Sequence, residues 1–257
     1  MIQRFFKIPK TILQTILQVI WRIWCYSSIT FIWLCCFPFW LLFSLKEKWY
    51  PWFYQLGRVW AMLSLYCCGF FPKKLNANPL QKNQPFIYIA NHTSLLDTLV
   101  MLYYVKTPCV FVGKKSLSKI PIFGLLFKRV CIMVDRSCAE SRRSIIPSVN
   151  EKLRKGVGVC IFPEGRIITD TDLGAFKKGA FQMSIETQTP IQPILFLNHL
   201  EHFSYTFLSG KPGILYAYFL KEQFPKEQET PKIYSKRVED FFLEKLRELN
   251  NKYKSSF

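Results

Sequence analysis

The stretch Phe86-Ile87-Tyr88-Ile89-Ala90-Asn91-His92-Thr93-Ser94-Leu95-Leu96-Asp97-Thr98-Leu99-Val100 changes its period in the middle. Residues 86–90 are a short unbroken apolar run, which reads as a strand buried on both faces. Residues 91–94 form a turn, and Ser94 has the chemistry to cap a helix over 94–104. A strand that feeds a helix through a short turn puts His92 at the strand's C-terminal end, where open α/β sheets hold their ligands. Asp97 has two readings. Three residues after a Ser94 cap it favours the helix dipole and mimics a capping box; turned toward the imidazole, it fixes the His92 tautomer and supports proton transfer from a hydroxyl. The two readings are compatible.

Working outward, the same alternation recurs. Residues 109–113, 130–134, 157–162, 191–198 and 213–220 read as strands, and 139–155 and 176–188 as helices, with Pro147 predicting a kink in the first of these helices. The fold class is therefore α/β, a mainly parallel sheet flanked by helices. Residues 231–249 form an amphipathic helix that packs on the domain. A polar stretch, 76–85, marks the boundary between an N-terminal segment, 1–75, and an α/β domain, 76–257.

The N-terminal segment differs in composition. Lys10, Gln14, Gln18 and Arg22 recur every four residues in one stripe of a helix, among Ile12, Leu13, Ile16, Leu17, Ile20 and Ile23. Residues 23–45 carry no charge, and 52–71 carry only Arg58. The uncharged run is long enough to cross a bilayer, while Pro38 offers a break that would make it an interfacial hairpin; both arrangements fit. Trp21, Trp24, Trp33, Trp40, Trp49 and Trp52 bracket the apolar segments as interfacial anchors do. The expected role of 1–75 is a set of membrane-anchoring helices. No small-residue cleavage site follows, which argues against a signal peptide.

Composition narrows the partners. The formal net charge of +18, from 35 Lys and Arg against 17 Asp and Glu, favours anionic ligands, and no acidic residue precedes Glu47. Cations embedded in apolar sequence point to anionic lipid rather than nucleic acid, for which no recognised module is present. The hydrophobic content of 50% excludes a disordered chain. Nine cysteines include no Cys-x-x-Cys pair and sit mostly in apolar runs, Cys25, Cys35, Cys36, Cys67, Cys68, Cys131 and Cys160 among them, so they read as buried, reduced, small hydrophobes.

A second constellation, Phe162-Pro163-Glu164-Gly165-Arg166, follows the strand at 157–162. Gly165 permits close backbone approach, and the Arg166 fork suits a phosphate. Lys177 and Lys178 lie close by in sequence, although a solvated helix start explains such a pair equally well. His199 and His202 follow the strand at 191–198; with no third ligand at a recognisable spacing, they read as surface or packing residues.

Taken together, the motifs make the chain resemble the glycerolipid acyltransferase family, of the 1-acylglycerol-3-phosphate acyltransferase type. His92 and Asp97 match its His-x4-Asp block. Gly113-Lys114-Lys115-Ser116-Leu117, continuing through Pro121 and Gly124, matches the second block, residues 162–166 the third, and Pro190-Ile191-Gln192-Pro193 the fourth. Val134-Asp135-Arg136-Ser137 is also similar to a family segment. The resemblance covers about 85–198, and the apolar N-terminus is similar to the family's membrane-embedding helices.

The resemblance implies transfer of a fatty acyl group from acyl-CoA or acyl carrier protein to the free hydroxyl of 1-acylglycerol 3-phosphate, giving phosphatidic acid at the cell membrane, with the catalytic domain on the cytoplasmic face. It implies His92 as general base and Asp97 as its orienting partner. Glu164, Gly165 and Arg166 would shape the acceptor site, and Lys114, Lys115 and Arg136 would bind its phosphate. Neither a metal nor a cofactor is implied beyond the acyl donor as substrate. Two departures bear on the acceptor: Ser116 stands where the family often has Glu, and Arg166 follows Gly165 without the usual intervening Thr. Another lysolipid acceptor, amino-acid-containing or otherwise, and a non-catalytic membrane lipid-binding protein are the alternative readings.

Overall fold

The computed structural model describes residues 12–76, 84–120, 123–134, 139–169 and 173–253. Two apolar helices come first, α1 (Ile12–Ser44) and α2 (Tyr50–Cys67), followed by strand β1 (Phe70–Lys74). The chain then alternates through β2 (Ile87–Ala90), α3 (Leu96–Tyr104), β3 (Cys109–Lys114), α4 (Phe123–Val130), β4 (Cys131–Val134), α5 (Ala139–Arg154), β5 (Gly158–Ile161), α6 (Gly179–Thr187), β6 (Ile191–Phe196), α7 (His199–His202), β7 (Gly213–Phe219) and α8 (Pro231–Tyr253). The sheet order is β1-β7-β6-β2-β5-β3-β4. From β6 to β4 all pairs are parallel, whereas β7 runs antiparallel to β6 and parallel to β1. The expected strands and the mainly parallel sheet are present.

The central strands explain themselves. All four residues of β2 and all six of β6 are buried, as the apolar runs require for strands covered on both faces. Pro72 sits in β1 at the sheet's edge, where a missing N–H costs no ladder bond. Because β1 belongs to the sheet, the α/β core reaches back into the segment 1–75.

The N-terminal helix resolves two points that its sequence leaves open. It runs unbroken through Pro38, which lies on its outward face and leaves only the Leu34 carbonyl without its helical donor. Pro147 likewise sits inside α5. Two residues of the polar stripe of α1 turn inward, whereas Gln14 is exposed and Lys10 lies outside the described residues: Gln18 Nε2 donates to Gly210 O at 2.7 Å, and Arg22, 0% exposed, donates to the carbonyls of Ser204 (3.0 Å), Thr206 (3.1 Å) and Ser209. Ile12, Leu13, Ile16, Leu17, Ile20 and Ile23 point outward instead. The helix is thus amphipathic in the inverted sense, as suits a protein surface that meets lipid rather than water.

Several tryptophans also act as joints. Trp21 and Trp24 donate to the Cys68 and Cys67 carbonyls, Trp40 to Phe53 O and Trp60 to Ile29 O, tying α1 to α2 and its end. Helix α1 is long and apolar enough to cross a membrane, yet it is docked on the rest of the chain from Gln18 to Trp40. The cysteines with described side chains are free. Cys35 and Cys67 are exposed, contrary to the buried reading, while Cys109 and Cys160 meet in the core with their sulfurs 3.1 Å apart.

Candidate active site

Four adjacent parallel strands, β6, β2, β5 and β3, deliver their C-terminal ends to one edge of the sheet. The segments leaving those ends carry, in the same spatial order, His199, His92, the turn 162–166 and Lys114. Residues more than 100 positions apart in sequence therefore meet because the strands are neighbours. Asn91 fastens two of the ends: its Nδ2 donates to Phe196 O and its Oδ1 accepts Phe196 N–H, each at 2.8 Å.

His92 Nδ1 lies 2.9 Å from Asp97 Oδ2, and the same oxygen accepts the backbone N–H groups of Thr93 (2.7 Å) and Ser94 (2.8 Å). One carboxylate thus holds both the backbone amides ahead of α3 and the imidazole, although the N-cap of α3 is Leu95 rather than the expected Ser94. Asp97 is 0% exposed, whereas the His92 side chain keeps 16% of its surface accessible. Burial pushes the Asp97 carboxyl up, but hydrogen bonds from His199 and His92 outweigh it and hold the group below its ordinary value. A carboxylate offers no proton, so each imidazole donates through Nδ1. That arrangement leaves His92 Nε2 as a lone pair facing the cavity when the ring is neutral. The ring stacks on Phe162, with centroids 4.0 Å apart and planes 14° apart.

Glu164 packs beneath His92, its Oε1 accepting the His92 N–H at 3.1 Å while Oε2 is buried without a hydrogen bond. Burial pushes its carboxyl up to about 8; the His92 amide pulls downward, nearby Asp97 adds to the rise and Arg166 opposes it. The turn after β5 closes through Gly165 N–H to Phe162 O (3.0 Å), with Gly165 at φ +71°. It is braced by Lys177 N–H to Pro163 O (2.9 Å) and Ile168 N–H to His92 O (2.8 Å).

These groups open onto a cavity of about 1760 Å³, larger than the roughly 300–1,000 Å³ usual for small-molecule sites. His92, Lys114, Gly165, Arg166, Lys177 and Lys178 line its polar part. Trp33 and Trp40 of α1, Phe53, Gly57 and Trp60 of α2, and Leu126 and Phe127 of α4 line its apolar part. The apolar hairpin thus roofs the site as well as facing outward. Of the residues singled out from sequence, His92, Asp97, Lys114, Glu164, Gly165 and Arg166 converge here. Lys115 lies on the exposed turn after β3, outside the cavity lining. Arg136, Asp135 and Pro121 lie outside the described residues.

Two residues read as surface or packing side chains have defined partners. His199, 0% exposed, places Nδ1 2.7 Å from Asp97 Oδ1, and His202 Nδ1 donates to Lys211 O at 2.8 Å. Burial lowers the His202 ring, although its bond to Lys211 O opposes that. Lys177 is a further cavity cation, with the charge pair at 177–178 as its only signal in the sequence. Among the described residues no group of three or more His, Cys, Asp or Glu is placed to hold a metal ion.

Residues 73–197 match the family model described as Acyltransferase. The chain is 32% identical over 162 residues to the chloroplastic 1-acyl-sn-glycerol-3-phosphate acyltransferase LPAT1 of Arabidopsis thaliana, covering 61% of this chain and 44% of that protein. It is 37% identical over 114 residues to a 1-acyl-sn-glycerol-3-phosphate acyltransferase of Salmonella typhimurium, covering 44% of this chain and 46% of the other. The chain spans about half the length of the curated relatives it matches. Among solved structures, the 1-acyl-sn-glycerophosphate acyltransferase PlsC of Thermotoga maritima shares the fold, with a TM-score of 0.77 at 22% identity over 92% of this chain and 98% of that one.

Proposed function

We propose, on the match of residues 73–197 to the Acyltransferase family model, that the chain moves a fatty acyl group from acyl-CoA or acyl carrier protein to the free hydroxyl of 1-acylglycerol 3-phosphate, giving phosphatidic acid. The observation that carries the proposal is the His92–Asp97 pair at the mouth of a long apolar cavity whose rim is cationic.

His92 Nε2 accepts the proton as the acceptor oxygen attacks the thioester carbonyl. The tetrahedral intermediate then collapses, the C–S bond breaks, and the imidazolium returns that proton to the departing thiolate. Asp97 fixes the ring and stabilises the imidazolium between those steps, a contribution of the kind worth about 10²–10⁴-fold in rate. Attack is direct, so neither a covalent acyl-enzyme nor a metal or other cofactor is needed. Lys114 and Arg166 hold the acceptor phosphate at the rim; Lys115 and Arg136 remain candidates for the same role, and Glu164 and Gly165 set the turn that aims Arg166. The apolar part of the cavity takes an acyl chain.

The outward apolar face of α1 lies in the membrane surface that supplies the lipid acceptor, with the catalytic domain on the cytoplasmic side, where soluble acyl donors are found. Docking of α1 along the domain supports an in-plane helix over a free-standing span. Acceptance of another lysolipid is the second reading, favoured by Arg166 standing directly after Gly165. Thiol release by the full chain in detergent, measured with acyl-CoA or acyl carrier protein and a panel of lysolipids, separates the two. Lysophosphatidic acid is expected to turn over fastest, and its failure to turn over would contradict the leading choice.

A further inference from the structure

The Asp97 carboxylate is held from both sides. Oδ2 takes His92 and the two backbone amides, while Oδ1 meets His199 Nδ1 at 2.7 Å. His199 opens α7 directly after β6, the strand beside β2, and its ring stacks on Phe196 with centroids 4.6 Å apart. Its Nε2 is buried without a hydrogen-bond partner among the described residues. A ring so placed suits the neutral form with its proton on Nδ1, because a second N–H on Nε2 would be left bare in the core. The loop behind it is itself anchored: Phe203 O accepts the Ser94 hydroxyl at 2.6 Å, and the Arg22 guanidinium lies over the Phe203 ring, 3.9 Å from its centroid.

We propose that His199 is a positioning residue for the base: it fixes Asp97 from the side opposite His92 and draws carboxylate charge toward Oδ1, so it sets how strongly Oδ2 holds the His92 imidazolium. The inference rests on reading His92 as the base. Without the His199 donor, Asp97 loses the contact that fixes its plane, and more of its charge falls on Oδ2. The first effect lowers turnover. The second favours the protonated, inactive form of His92, so the acid limb of the rate profile moves to higher pH. The other charged or titratable groups facing this pair are Glu164 and Arg166 from the turn after β5, Lys177 against Gly165, Lys114 across the cavity, and His202 behind His199; the variants below leave all of them in place.

The test uses the full chain in detergent. His199→Leu removes the donor, and His199→Asn places an amide N–H near the position of Nδ1. With acyl-CoA and lysophosphatidic acid, His199→Leu is expected to lower kcat roughly tenfold, less than the roughly 10²–10⁴-fold attributed to the base itself. Its KM should stay near that of the parent, and the acid limb of kcat/KM should rise by about half a pH unit. His199→Asn is expected to restore most of both. A folded His199→Leu protein with unchanged kcat and acid limb would overturn the proposal. Nitrogen-15 histidine spectra give a second readout that needs no activity and no variant, since the chain has only three histidines. They should show His199 protonated on Nδ1; a ring protonated on Nε2 instead would also overturn it. If these spectra behave as expected and the His92 resonance moves in His199→Leu while no lysolipid is acylated, the coupling stands and the acyltransferase reading fails.

Discussion

A Cβ on Gly165 would lie 2.7 Å from the Lys177 amine, so the lysine occupies the space beside the turn that a larger residue would claim. The turn also needs φ +71° at that position. Gly165→Ala is therefore expected to cost about 1–2 kcal/mol through the left-handed backbone and to swing Lys177 away from the rim. The measurement is Tm together with the KM for lysophosphatidic acid, which should rise while kcat changes less. Lys177→Gln should raise the same KM without the stability loss; an unaltered KM in both variants would remove Lys177 from the acceptor site.

Glu164 gives a pH-dependent stability difference. Its carboxyl is raised from 4.5 to about 8 in the folded chain, so the folded state binds this proton more tightly than the unfolded state does. The group's contribution is fully present below pH 4.5 and is lost as pH rises through about 8. Glu164→Gln keeps an oxygen for the His92 N–H and has no charge to bury. Its Tm should be close to that of the parent at the acid end and should exceed it by a margin that grows toward pH 8 and levels off beyond. A Tm difference constant across that window would contradict the buried, protonated carboxyl.

Arg22 connects the apolar helix to the loop behind His199. In Arg22→Met three carbonyls lose their donor, and partial solvation of the loop limits the expected loss to about 2 kcal/mol. Arg22→Lys should recover part of the loss, since all three carbonyls are served by the one nitrogen Nη2 and an ammonium carries three donors. Thermal unfolding and limited proteolysis within 203–210 report the effect. Unchanged Tm and protection would show that the buried guanidinium contributes nothing.

Gly57 of α2 lines the cavity, and a Cβ there would meet nothing within 4 Å. Gly57→Ala should stabilise the helix by roughly 0.5–1 kcal/mol with little effect on activity. Gly57→Phe fills cavity space and should shift preference toward shorter acyl chains in competition between acyl-CoA species. An unshifted preference would place the acyl chain elsewhere.

What was legible in the sequence followed from local patterns. The run 86–90 and its turn gave the strand, the approximate helix start and the Asp97–His92 contact, because all are decided within a dozen residues. Strands buried on both faces stood out as apolar runs for the same reason. The Phe70–Lys74 strand was hidden, since it ends an apolar helix and contains a proline that only an edge position tolerates. The direction in which the polar stripe of α1 points was not legible, because periodicity reports which residues share a face, not what the face meets. His199 was out of reach: its partner lies 102 positions earlier, and only the adjacency of β6 and β2 brings them together. Pro38 failed to break α1 because it falls on the outward face, where one missing helical bond is the whole cost.

The central claim is that His92 is the base, and it is tested most directly by thiol release from acyl-CoA in the presence of lysophosphatidic acid, with His92→Ala compared against the parent at matched Tm and matched vesicle binding. The expected result is a loss of about 10²–10⁴-fold in kcat with folding and vesicle binding unchanged. A His92→Ala protein that turns over within a few-fold of the parent would contradict the account.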